Sequence, residues 1–141
     1  MESQEKVKRV AFYVGQKQVP DSMDYFKAKY ENVLKELFPE LIFEKEFFCD
    51  IHYGKMTSQR EGYIALREKT VSNGIDFLVT GTMYMISDSK CQFYKMLEEC
   101  RQHQVQVILA EHNLVIDEEC FEVLGKDVKE IRKCYQHILE G

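Results

Sequence analysis

The segment RVAFYVGQKQVPDS, residues 9–22, runs a short apolar stretch into a polar turn holding Gly15, Gln16, Lys17 and Gln18 before Pro20. A turn at the end of a first strand is where many α/β proteins keep their chemistry. A flavin or phosphate cradle there needs small residues whose backbone N–H groups converge on an anion. GQKQVPDS has one glycine and a bulky Gln-Lys-Gln centre, so it does not suit a flavodoxin-type cofactor. A phosphate-accepting receiver needs clustered carboxylates at the same point, and this turn has none. Cys49 and His52, in CDIH, make half of a zinc site. With no second pair at metal-like spacing they fall short of the usual four ligands, and no metal is expected. Lys6, Lys8 and Arg9 form the only dense basic group in a chain of net charge −5. Phosphate backbones are held by clustered Lys and Arg, so this chain alone should touch DNA weakly or indirectly.

These groups must be positioned by a small scaffold. A chain of 141 residues is one domain's worth and can bury a core without disulfides. It is 45% apolar and 30% charged, an ordinary globular balance. No apolar run approaches the roughly 18 residues of a membrane span. The start, MESQEKVKRV, is polar and unlike a signal peptide, which leads to a cytoplasmic expectation. The five cysteines, Cys49, Cys91, Cys100, Cys120 and Cys134, form no C-x-x-C pair and read as free thiols in a reducing compartment.

Periodicity along the chain alternates between strand and helix. KRVAFYV (8–14) predicts a buried strand, and Asp21 or Ser22 can cap a helix that Pro39 ends. ELIFEKEFF (40–48) predicts a second strand and 49–59 a polar loop. REGYIALREKTVSNG predicts a helix stopped by Asn73-Gly74, and IDFLVT (75–80) a strand covered on both faces. Ser87 or Asp88 can cap the next helix, whose inner face would carry Cys91, Phe93, Tyr94, Leu97 and Cys100. VQVILA (105–110) is a fourth strand, and HNLVID adds a short fifth. Such alternation implies an α/β sandwich around a mostly parallel sheet, with any site at the carboxyl ends of its strands. The turn after strand one, the 49–59 loop and the 80–88 segment then lie side by side.

The last segment, 117–139, follows the core of about 8–116 and carries Phe121, Leu124, Val128, Ile131, Tyr135 and Ile138 at spacings of 3, 4, 3, 4 and 3. This heptad-like seam fits a helix docked on its own sheet or a helix paired with another subunit. The narrowness of the seam favours pairing, although Gly125 inside it costs about 1 kcal/mol of helix propensity.

Taken in order, the pieces resemble the catalytic domain of the serine recombinases, the resolvase/invertase family. RVAFYVGQKQ is similar to that family's first strand, R-V-A-x-Y-x-R-V-S-T. SQREGYIALREKTVSNGIDFLVT is similar to its R-x-G-F…L…G-x-I-D-x-L-V-V stretch, and CQFYKMLEECRQHQVQVILAEHNLVID to the helix, strand and I-x-T ending that follow. The resemblance covers about residues 8–117. It implies a three-layer α/β/α sandwich with strand order 2-1-3-4-5, the last strand antiparallel, and a long C-terminal helix that makes dimers and tetramers.

The family cuts DNA with a serine hydroxyl that attacks a phosphodiester inside a cluster of arginines. Its Y-x-R-x-S falls here on Tyr13, Gly15 and Lys17: the tyrosine is retained, and the arginine and the serine are replaced. Its L-D-R-x-x-R falls on Thr82 to Ser87, so that Met83, Tyr84 and Ser87 stand where the charged groups would be. Arg60 is retained and is the one candidate for phosphate contact. Removing one preorganised donor from such a transition state costs about 2.7–4 kcal/mol, and here several are gone. Lys17 would need strong desolvation to become a nucleophile, and Ser87 and Ser89 suit helix capping. The resemblance also implies a DNA-binding segment after the long helix, for which a chain ending at Gly141 leaves no room. The expectation is an inactive recombinase-like domain with no cofactor. It would act by homodimerisation or by association with an active site-specific recombinase. The alternative is an active recombinase or nuclease with an atypical site around Lys17 and Arg60.

Overall fold

The computed structural model describes residues 7–16, 23–51 and 59–140, with side chains as far as residue 133. Five strands form one sheet in the order β2-β1-β3-β4-β5. They are β1 (Val7–Gln16), β2 (Ile42–Ile51), β3 (Phe77–Thr80), β4 (Gln106–Leu109) and β5 (Leu114–Val115). All neighbouring pairs are parallel except β4 with β5. The mixed α/β architecture is the one the alternation predicts, and the strand order is the one the resemblance implies.

Strict alternation along β1 divides the core in two. Val10, Phe12 and Val14 face α1 (Met23–Leu37), where Tyr30, Val33 and Leu34 are buried. Ala11 and Tyr13 face the opposite layer, built from α2 (Glu61–Val71), α4 (Lys90–Gln102) and the first part of α5 (Glu118–Glu140). Because both faces of the middle of β1 are covered, residues 10–14 are continuously apolar rather than alternating. The Asn73-Gly74 stop works as read: Asn73 takes the left-handed conformation at φ 59°, and Gly74 N donates to Lys69 O at 2.7 Å.

Several local expectations need correction. β2 runs on to Ile51, into the segment read as loop, because its N-terminal partner β1 continues to Gln16. A helical turn, α3 (Met83–Ile86), follows β3 and had no periodic signal, being one turn long. The cap of α4 is Ser89, whose Oγ accepts from Gln92 N at 3.3 Å, not Ser87 or Asp88. On α4 the buried inner residues include Met96, while Cys91 is only half-buried. The proposed caps Asp21 and Ser22, together with Lys17 and His52, lie outside the described residues.

The C-terminal seam is used within the chain over its first half. Phe121 stacks on Tyr94 of α4 with ring centroids 4.6 Å apart, and the Arg101 guanidinium lies 4.2 Å from the same ring. Val128 is buried and Leu124 packs on the core, so Phe121 and Val128 are not available to a second subunit. Gly125 is what permits this: a Cβ there would stand 2.8 Å from the Tyr94 hydroxyl. Its helix-propensity cost is offset by close packing of α5 on α4. Ile131 is half-buried, and the side chains of Tyr135 and Ile138 lie outside the described residues. No helix is long and apolar enough to cross a membrane, among the described residues.

Candidate functional site

The carboxyl ends of β1, β2 and β3 bring Tyr13, Gly15, Asp50, Arg60 and the α3 turn into one region. Tyr13 is fully buried, and its phenol donates to Asp50 Oδ2 at 2.8 Å. Asp50 stands beside Gly15 in the β1–β2 register. Its carboxylate also accepts from Gly62 N at 2.7 Å and Tyr63 N at 2.8 Å. Those are orphan donors in the first turn of α2, which the residue at the cap position, Arg60, does not satisfy with its side chain. Gly62 is required by this arrangement, since a Cβ on it would lie 2.6 Å from Cys49 O. Burial first, and the Asp50 hydrogen bond second, push the Tyr13 phenol well above its ordinary range, with Arg60 opposing them only in part. The raised pKa favours the neutral phenol, the form that donates to Asp50.

Arg60 is turned inward. It is 6% exposed, and its Nη1 donates to Met85 O and Ile86 O, each at 2.9 Å. These are end carbonyls of α3, which such a short helix leaves without partners of its own. The same Met85 carbonyl lies 2.3 Å from where a Cβ on Gly15 would stand, and Tyr13 Cε2 lies 3.0 Å from it. A side chain at position 15 therefore meets backbone, not an open pocket. Thr80 Oγ1 and the Tyr30 hydroxyl both donate to Tyr13 O, each at 3.0 Å, and fasten the end of β1 from the other side.

The remaining candidates do not converge on this region with free chemistry. Met83 is half-buried, and Tyr84 points outward at 61% exposure. Ser87 is buried; its Oγ donates to Gln92 Oε1 at 2.9 Å and accepts from Ser89 N at 3.0 Å. That hydroxyl organises the entry to α4. Sequence reading missed Asp50, Gly62, Tyr63 and Tyr30, because their contacts join residues far apart in the chain. The one available signal was the apolar and aromatic pattern continuing through FFCDI, which extends β2 far enough to place Asp50 at the start of α2. No group of three or more metal-binding side chains occurs among the described residues.

No family model matches the chain, and no curated protein matches it in sequence. Solved structures do match it in shape. The N-terminal catalytic domain of TP901-1 integrase superposes with a TM-score of 0.72 at 11% identity, covering 93% of this chain and 98% of that one. The fold is that of serine recombinase catalytic domains. A resolvase family site-specific recombinase from Streptococcus pneumoniae gives a TM-score of 0.64 at 16% identity, covering 94% of this chain and 93% of that chain. The C-terminal catalytic domain of ISC1926 TnpA, an IS607-like serine recombinase, gives 0.54 at 15% identity, covering 72% and 68%. In this serine recombinase fold the rim just described is where the motif positions of the resemblance fall, Lys17 excepted as outside the described residues.

Proposed function

We propose that this chain is a serine-recombinase-fold protein without strand-cleaving chemistry, acting by association with itself or with an active site-specific recombinase. The reading rests on the fold likeness and on one observation: the Met85 carbonyl closes over Gly15 while Arg60 spends hydrogen bonds on that carbonyl and its neighbour. Cleaving a phosphodiester requires donors preorganised around the charge that develops on phosphorus. Guanidinium forks suit that task, and the retained one here serves as a backbone clamp. Tyr13 holds its proton, and the Ser87 hydroxyl is committed to the start of α4.

The test is a cleavage assay on supercoiled DNA, with denaturing gels to catch any protein–DNA adduct. We expect no nicking and no adduct for the wild type. Cleavage that disappears in Lys17→Ala would overturn the proposal in favour of an atypical active site. For the association, the protein is mixed with an active serine recombinase from the same source. A shared complex, or altered recombination by that enzyme, is the expected result for the heteromeric form.

A further inference from the structure

The outer face of α2 carries apolar residues that its own core does not use. Leu66 and Thr70 are buried against the sheet, whereas Ile64 and Val71 are 42% and 39% exposed. The two are seven residues apart, two helical turns, and Arg67 and Glu68 lie between them on the same stripe. Beside this stripe, α4 contributes Lys95 and Met96 to a groove of about 360 Å³ between the helices. Arg67 is held in place by two hydrogen bonds to Glu99, both of 2.9 Å. Glu68 and Lys95 have no ion-pair partner among the described residues.

We infer that this stripe is an isologous contact between two copies of the chain, with α2 packed antiparallel on α2 about a two-fold axis. The stripe is complementary to its own reverse. Read in opposite directions, Ile64 meets the second copy's Val71, and Arg67 meets the second copy's Glu68. Symmetry then forms each contact twice, as a closed two-fold interface demands. The exposed apolar ends are covered, and Glu68 gains a cation. The stripe also explains why α2 has apolar residues on two sides while only one side touches the sheet. This surface is separate from the α5 seam, and it stands whether or not the rim can cleave DNA.

Solution mass by light scattering over a concentration series, with circular dichroism as the folding check, tests the contact. The wild type should be heavier than one chain at high concentration. Ile64→Asp should weaken association on the order of a hundredfold, since the change enters the interface twice. Glu68→Lys sets a cation against Arg67 and should weaken it on the order of tenfold. The exchange Arg67→Glu with Glu68→Lys and Glu99→Arg restores opposite charges both across the contact and towards α4, and should recover association. Because Ile64 and Glu68 are exposed, helical content should not change. If α5 also joins copies, Ile64→Asp should lower the mass without reducing it to a single chain. A wild type that stays one chain at millimolar concentration overturns the inference. So does a mass unaffected by Ile64→Asp, or a triple exchange weaker than Glu68→Lys alone.

Discussion

Two glycines, Gly15 at the carboxyl rim and Gly125 in α5, each let another element approach closely, yet the neighbours they admit differ in kind. At Gly15 the neighbour is the Met85 carbonyl, 2.3 Å from a notional Cβ, and it belongs to a backbone turn clamped by Arg60. At Gly125 the neighbour is the hydroxyl end of Tyr94, at 2.8 Å, a side chain with rotatable bonds. The first contact is with backbone and sets the α3 turn against the end of β1; the second is with a side chain and seats a helix. A glycine thus admits a backbone turn in one region and a side chain in the other. The distinction lies in whether the opposing atom can yield.

The largest effect should come from Gly15→Ala. Overpacking against backbone should cost about 3 kcal/mol, the upper part of the usual range, read as a lowered urea midpoint. If the variant is as stable as wild type, the Met85 carbonyl does not sit against Gly15 as described. Next is Arg60→Met, which keeps the apolar stem and removes the donors from Met85 O and Ile86 O; we expect a loss of about 2–3 kcal/mol by the same measurement. Asp50→Asn keeps the shape but removes the charge that Tyr13 and the start of α2 share, at a cost of about 1–2 kcal/mol. Amide exchange at Gly62 and Tyr63 should rise in that variant, separating a loosened α2 from a general loss of stability. The smallest change is expected for Gly125→Ala. Helix propensity gains up to about 1 kcal/mol, and displacing the Tyr94 tip takes back a similar amount. A cost there equal to that of Gly15→Ala would erase the contrast.

Much of the fold was legible because it depends on local pattern. The apolar run VAFYV marks a strand covered on both sides, and Asn73-Gly74 marks the stop of α2 for a conformational reason that belongs to those residues alone. Tyr13 and Arg60 were picked out by resemblance, but the use of Arg60 was not legible. Whether a guanidinium faces phosphate or a carbonyl depends on where a turn 25 residues away comes to rest. The packing role of Gly125 was not legible for the same reason: propensity counts a glycine as a loss within its own helix, and only the crossing of α4 shows what it admits.

The sequence by itself determined the alternation of strands and helices and the apolar faces that sort them into layers. The tertiary structure decided that the Met85 carbonyl fills the space beside Gly15, that Asp50 serves both Tyr13 and α2, and that Phe121 and Val128 belong to their own chain. Local periodicity follows from backbone geometry and can be read one segment at a time. Contacts between distant segments depend on how layers settle against one another, a property no single stretch of residues carries.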